Sequence, residues 1–323
     1  MSASSLNTAG LPHVMTAARV HRFGGPEAIA VEEVARPEPG AGEVLVRVAA
    51  AGVGPWDGWI RAGKSVLPQP LPLTLGSDLS GTVAVVGPGV AGFAPGDAVF
   101  GVTNPRFTGA YADYAIAAAG MIARRPARAG DVEAAALPVV AVTAWQALFE
   151  QARTGPGQSV LVLGGAGSVG APAVQMAHRA GARVIATASA GDLAFVRGLG
   201  ADDAVDRKDP LAGRVPPVDT VIDLVGGMAQ AEAFGVLKPG GRLVSAVSQP
   251  DQAEAARRGV TAGFFLVQVR TEHLERIAAL VDAGDLVTRV GTVLTLAEAR
   301  TAHEMLDGTR PHPPGKIVLR VEG

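Results

Sequence analysis

Gly164, Gly167 and Gly170 stand where residue type and spacing point to a definite chemistry. Ahead of them, residues 160–163 (Val-Leu-Val-Leu) form the continuous apolar run of a parallel strand buried on both faces. Behind them, residues 171–180 read as an apolar-faced helix closed by Gly181. Strand, glycine-rich turn and helix together make a cradle for a pyrophosphate. Glycine allows a tight turn and close backbone approach, and a helix N-terminus favours negative charge. Gly164, Ala166, Gly167, Ser168, Val169 and Gly170 are therefore the expected contacts of a dinucleotide. The alternative is a tight strand-to-helix turn with no ligand.

The choice of dinucleotide is read just past the next strand, residues 183–186. An acid at that strand's end accepts from both ribose hydroxyls and repels a 2′-phosphate. Here Ala186-Thr187-Ala188-Ser189-Ala190-Gly191 holds no acid before Asp192, which stands where a helix N-cap belongs. Ser189 offers a hydroxyl to a phosphate, and Arg207 with Lys208 bring positive charge after the following strand. NADPH is the expected cofactor rather than NADH; solvated surface is the alternative role of Arg207 and Lys208.

These residues need a scaffold. Residues 138–269 alternate strand and helix: strands at 160–163, 183–186, 203–205, 219–224, 242–247 and 264–269, helices at 139–149, 192–199 and 229–237. Before them, residues 17–137 are short β segments broken by Gly and Pro, among them 30–34, 44–49, 81–86 and 98–102, which predicts a compact antiparallel barrel. After them come a helix over 271–283, a capping box of Thr295 and Glu298 opening a helix to Leu306, and a β-branched strand at 316–321 that rejoins the first domain. The expectation is α/β: a β-rich domain (15–137 and 273–323) interrupted by a doubly wound parallel-sheet domain (138–272), with residues 1–14 a disordered tail.

Composition narrows the function classes. The chain has 323 residues, a net charge of −2 and scattered basic residues, giving no support for nucleic-acid or anionic-membrane partners. The absence of cysteine excludes disulfides, thiolate catalysis and thiolate metal sites. The six histidines show no ligand spacing, so no metal is expected. No run of ~20 apolar residues spans a membrane and no signal-peptide pattern opens the chain, so the expected compartment is the cytoplasm. A Tyr-x-x-x-Lys pair is missing: Tyr111 and Tyr114 are followed four positions later by Ala115 and Ala118. That excludes the short-chain dehydrogenase type.

Around the glycine turn, in order, stand Gly54-Pro55-Trp56-Asp57, Gly76-Ser77-Asp78-Leu79-Ser80-Gly81, Val86-Gly87-Pro88-Gly89-Val90, Pro95-Gly96-Asp97, Gly109-Ala110-Tyr111, Val142-Thr143-Ala144-Trp145, Leu237-Lys238-Pro239-Gly240-Gly241 and Gly315-Lys316-Ile317-Val318-Leu319. In this set the chain resembles, from about Ala17 to Val321, the zinc-free quinone oxidoreductases and enoyl reductases (zeta-crystallin-like) of the medium-chain dehydrogenase/reductase superfamily. The resemblance implies a GroES-like barrel plus a Rossmann domain. It also implies an NADPH-dependent, zinc-independent enzyme reducing a quinone or an α,β-unsaturated carbonyl compound. The zinc branch carries Gly-His-Glu where Gly76-Ser77-Asp78 stands and a cysteine near Gly54, so without those ligands the means of stabilising an alkoxide are missing.

By the same resemblance Thr143 lies beside the nicotinamide, and Val225, Val247, Phe264, Phe265 and Val267 flank its ribose and ring, unless they are plain core. Lys316 reaches a cofactor phosphate or caps the surface. Thr143, Asp57 and Trp59 are the candidates at the reacting centre, with no strong general acid or base expected. Gly54, Trp56, Asn104 and Phe107 are the candidate acceptor wall. Two departures stand out: many relatives carry Asn at the position of Gly54 and some Tyr at that of Trp59. A small-molecule substrate and a homodimer, paired through the apolar strand at Phe264, are expected. The rival expectations are a non-catalytic NADPH-binding relative and a pathway-specific enoyl reductase.

Overall fold

The computed structural model describes residues 10–321, which divide into two compact units. The first holds the chain up to Val139, Val269–Asp282 and the chain from Arg289; the second holds Val140–Gln268 and Ala283–Thr288. Residues 283–288, expected in the β-rich domain, join the second unit for a local reason. The Gln175 side chain bonds both backbone groups of Val287 (2.9 and 3.1 Å), and Arg179 pairs with Asp285 at 2.5 Å.

The first unit opens with strands β1 (Val14–Val20), β2 (Ile29–Ala35), β3 (Glu43–Val53), β4 (Leu73–Thr74), β5 (Asp78–Val86), β6 (Ala98–Val102), β7 (Tyr114–Ala118) and β8 (Ile122–Arg124). The tail expected at 1–14 falls partly outside the described residues; its described end is ordered. Val14 pairs with Ala35, Leu11 packs beside Met15 and Leu45, and Arg36 Nε donates to Pro12 O at 2.7 Å. β2, β1 and β4 form one small antiparallel sheet. Helix α1 (Pro55–Arg61) follows β3 directly, with Pro55 in its first turn where the missing N–H costs nothing, and α2 (Asp131–Ala135) closes this part.

In the second unit, β9 (Ser159–Leu163), β10 (Arg183–Ala188), β11 (Asp203–Asp206), β12 (Val218–Asp223), β13 (Leu237–Ser245) and β14 (Thr261–Phe264) form one parallel sheet in the order β11-β10-β9-β12-β13-β14. The order reverses between β10 and β12, on either side of β9, which is where open α/β sheets bind ligands. The helices are α3 (Pro138–Trp145), α4 (Gly170–Arg179), α5 (Leu193–Gly198), α6 (Gly227–Ala233) and α7 (Gln252–Arg258). Two sequence expectations are corrected. The helix expected through Phe149 turns into a π-helix over Gln146–Gln151. There the Gln146 amide accepts from Gln268 N (3.0 Å) and donates to Gln268 O (3.3 Å). The strand expected over 264–269 lies instead at Thr261–Phe264, and its last backbone bond to β13 is from Phe265 N to Ser245 O at 3.1 Å.

The chain then returns to the first unit through α8 (Thr271–Ala283), β15 (Val290–Thr295), the Thr295–Glu298 capping box, α9 (Ala299–Leu306) and β16 (Lys316–Arg320). β16 pairs antiparallel with β3, Ile317 opposite Val53, inside a sheet ordered β15-β16-β3-β5-β6-β8 with β7 also on β3. That register delivers Lys316 to the end of β3 from which α1 departs. No helix among the described residues is long and apolar enough to cross a membrane.

Candidate active site

The glycine turn is built by close approach. Gly164 has φ +78°, and a Cβ on Gly170 would lie 2.1 Å from Gly164 O, so the first residue of α4 seats against the turn with no room for a side chain. Thr187, at the end of β10, pins the turn: its Oγ1 accepts from Gly164 N at 2.9 Å and its carbonyl from Gly165 N at 2.8 Å. Gly167 and Ser168 are exposed, Ala166 and Val169 half-buried. The first amides of α4 have no acceptor within the helix. With Gly164 N and Gly165 N given to Thr187 and Gly167 N to Gly164 O, the turn's remaining amides stand at the positive end of a ten-residue helix. This is a surface that fits a pyrophosphate.

Beside it the carboxyl ends of β12 and β13 carry a polar organiser that sequence reasoning missed. Asp223, fully buried, accepts from Val225 N (3.0 Å), Gly226 N (2.8 Å), Gln230 Nε2 (2.8 Å) and Ser245 Oγ (2.7 Å). Ser245 Oγ in turn accepts from the amides of Val247 and Ser248, both at 3.2 Å. The two loops are fixed, and they push apolar side chains outward: Val225 is 55% exposed, with Val247 and Phe264 also exposed and Phe265 and Val267 half-buried. The reading of Val225, Val247 and Phe264 as plain core is therefore corrected. Val225 reaches the turn itself, its Cγ2 3.0 Å from where a Cβ of Gly164 would be. Thr143 lies in α3, 7% exposed.

Just past the same end of β10, Ser189 Oγ donates to Asp192 Oδ2 at 2.7 Å. Asp192 does stand at the N-cap of α5 but makes no capping bond. A 3-10 turn over Ala190–Asp192 leaves it with φ −106° and ψ 2°, outside the extended region from which a cap reaches back to the first amides. The Arg207 amide donates to Ala188 O at 2.8 Å, which sets this residue alongside Ser189 with its side chain exposed. Lys208 is exposed as well.

The first unit holds a different kind of cluster. Asp57 Oδ2 accepts from Gly54 N at 2.8 Å and from the Tyr111 hydroxyl at 3.1 Å, while Oδ1 is buried without a partner. Burial pushes the Asp57 carboxyl up to about 7. Expected at the reacting centre, Asp57 is instead fully buried and holds the start of α1. Lys316, 3% exposed, is no surface cap: Nζ donates to Asp78 Oδ2 at 3.2 Å and lies 4.4 Å from the centroid of the Trp56 ring. Burial raises Asp78 to about 6 against the pull of Lys316. Trp56 Nε1 donates to Ser77 Oγ at 2.9 Å.

Further along α1, Arg61 donates to Gly24 O (3.1 Å), His303 Nδ1 (2.9 Å) and Asp307 Oδ2 (2.6 Å). A guanidinium only donates, so Nδ1 accepts and the imidazole is neutral. Burial, with Arg61 adding to it, pushes His303 down to about 3. Trp59, on the same helix, is 54% exposed rather than core. Asn104 spends its amide inside its own loop, accepting from Arg106 N (2.9 Å) and donating to Thr108 O (2.7 Å). That loop holds Phe107 at φ +60°, a conformation a bulky residue rarely adopts.

The comparisons with known proteins agree with this architecture. Residues 40–127 match the alcohol dehydrogenase GroES-like domain, and residues 199–319 match a family described as zinc-binding dehydrogenase. The chain is 34% identical to a probable zinc-binding oxidoreductase, mitochondrial, of Arthroderma benhamiae, over 87% of this chain and 88% of the relative. It is 32% identical to the quinone oxidoreductase of Sus scrofa, over 95% and 98%. The solved quinone oxidoreductase of Coxiella burnetii superposes with a TM-score of 0.88 at 33% identity, covering 96% of this chain and all of that one. The described residues contain no group of three or more His, Cys, Asp or Glu placed to hold a metal. Ser77 and Asp78 are already committed to Trp56 and Lys316. With the glycine turn, the two-unit architecture and near full-length likeness in hand, the chain belongs to the quinone oxidoreductase family of the medium-chain dehydrogenase/reductase superfamily.

Proposed function

We propose that this protein reduces a quinone or an α,β-unsaturated carbonyl compound with NADPH and without zinc. The observation that carries the proposal is the pairing, in the second unit, of the donor-rich glycine turn with exposed Val225, Val247 and Phe264. A charged pyrophosphate suits the first and a flat ring with its ribose suits the second. NADPH when bound supplies the hydride.

The chain's own share is positional. The amides of Ala166–Val169 bind the pyrophosphate, while Val225, Val247, Phe264, Phe265 and Val267 flank the ring and keep water off it. Thr143 orients the carboxamide. Arg207 meets the 2′-phosphate; the one Ser189 hydroxyl proton goes to Asp192 Oδ2, so Ser189 joins only by giving up that bond. Lys316, buried against Asp78 and the Trp56 ring, has no exposed face for a phosphate, so the role proposed for it is to hold Asp78 and Trp56. Trp56, Trp59, Asn104 and Phe107 stay the proposed acceptor wall. Charge developing on the acceptor oxygen needs a hydrogen-bond donor or water, not a metal.

The test is loss of reduced-nicotinamide absorbance by the purified protein with an ortho-quinone, a para-quinone and a set of enones, NADH run in parallel and a chelated sample beside each. Turnover with NADPH that survives chelation supports the proposal. NADPH binding without turnover on any acceptor sinks the reductase reading, and no binding sinks the reading of the glycine turn. A cytoplasmic homodimer paired along β14 is part of the same proposal; light scattering showing only monomer at micromolar concentration removes the dimer.

A further inference from the structure

Gly54 has an extended backbone, φ −133° and ψ 165°, so no left-handed geometry calls for glycine there. What excludes a side chain is Trp56. A Cβ on Gly54 would lie 2.3, 2.4 and 2.5 Å from Cη2, Cζ2 and Cζ3 of the indole. The six-membered ring therefore occupies the volume that a side chain at position 54 would take.

The indole is held at two points. Its Nε1–H is spent on Ser77 Oγ at 2.9 Å, and the Lys316 ammonium sits 4.4 Å from its ring centroid while bonded to Asp78. Ser77, Asp78 and Lys316 are all buried, so no anchor is free to follow the ring if it swings. Displacing the ring also strips a buried ammonium of its aromatic partner. Trp56 itself is only half-buried. With its one donor used, the exposed part of the half-buried indole is ring carbon, which discriminates by size and not by hydrogen bonding.

We propose that Trp56 is the specificity-determining residue of the acceptor site, a rigid apolar wall seated on Gly54 that favours small acceptors over bulky ones. The inference rests on the reductase reading above and deepens it. Four variants test it: Gly54→Ala, Trp56→Val, the two together, and Trp56→Phe, which keeps a six-membered ring and loses the donor to Ser77 Oγ.

In thermal melts, G54A alone is expected to lower Tm by ~5 °C or more, and to cost ~1 °C or less when added to W56V. With NADPH saturating, W56V is expected to shift the kcat/KM ratio of a tert-butyl-substituted para-quinone over unsubstituted para-benzoquinone by at least ~10-fold toward the bulky acceptor, through KM, while W56F leaves it within about twofold. Additive melting shifts overturn the seating of Trp56 on Gly54. An active W56V whose acceptor ratio is unmoved overturns the specificity role alone. A wild type that binds NADPH and reduces neither quinone overturns the reductase reading and this role with it, a result the melting cycle cannot mimic.

Discussion

The glycine turn of the second unit and the polar cluster of the first are built on opposite principles. The turn is backbone: Gly164 N and Gly165 N are tied to Thr187, Gly167 and Ser168 lie exposed beyond them, and in the same unit Val225, Val247 and Phe264 are exposed. The cluster is side chain: Asp57, Asp78, Lys316, Tyr111, Arg61 and His303 are all buried, and most of their polar atoms are spent on a neighbour, with Asp57 Oδ1 and His303 Nε2 left over. A surface that leaves donors and apolar area uncommitted has something to give a ligand. A cluster that satisfies itself holds its own unit together and orients the few residues at its rim, here Trp56. The difference separates binding from positioning, although both regions are rich in the residue types that attract a functional reading.

The sharpest way to break that contrast is Lys316→Met. If the cluster is structural, the lone Asp78 carboxylate left behind should cost about 3–5 kcal/mol at pH 8, read from urea denaturation. A loss under about 1 kcal/mol would place Lys316 on the ligand's side of the comparison. Gly167→Asp probes the other region. It puts a carboxylate into the exposed turn and should weaken NADPH binding by ~100-fold by calorimetric titration, with the urea midpoint nearly unchanged. Normal binding by this variant would remove the pyrophosphate from the turn.

The pH dependence of stability sharpens the comparison further, because the cluster carries slopes of both signs: His303 on one side, Asp57 and Asp78, the latter raised to about 6, on the other. His303 titrates at about 3 when folded against 6.5 unfolded, so its contribution is full above 6.5 and is lost as pH falls toward 3. Asp57 is raised from 3.8 to about 7, so its contribution is full below 3.8 and is lost as pH rises through about 7. Each slope is at most about 1.4 kcal/mol per pH unit. Over their shared window, Asp57→Asn should remove its share of the loss that comes as pH rises from 4 to about 7, and His303→Gln the loss that comes as pH falls from 6.5 to 4, in urea midpoints taken from pH 4 to 8. Unchanged slopes would show that these groups titrate as exposed ones do. The smallest expected effect is at the ribose end. Arg207→Ala should raise KM for NADPH about fivefold and leave that for NADH alone, as suits an exposed charge. Equal changes for both would return Arg207 to ordinary surface.

What was legible in the chain was local. The apolar run before Gly164, the apolar face of α4, the Thr295–Glu298 capping box and the β-branched run of β16 each announce themselves within about ten residues, because turn chemistry and side-chain period act at that range. Misreadings arose where a local signal has two meanings. The apolar stretch at 264–267 has the texture of a buried strand, yet β14 is the sheet's edge and the chain leaves it after Phe264. Asp192 has the right residue type for a cap, yet the preceding 3-10 turn sets its backbone wrongly for one. The loop organiser Asp223 carried no signal at all, since an acid closing an apolar strand looks the same whether or not loop amides converge on it.

Sequence alone determined the parallel sheet, the glycine turn and the two-part organisation, because strand, turn and helix signals are written in neighbouring residues. Tertiary structure alone decided which polar residues meet. Asp57 finds Tyr111 across 54 positions, Asp78 finds Lys316 across 238 and Arg61 finds His303 across 242. Those pairings follow from strand register, Ile317 against Val53 above all, and from the cost of burying a charge without a partner. Neither is encoded within the span of one element, so the wall at Gly54 and the buried cluster behind it come into view only when the sheet has closed.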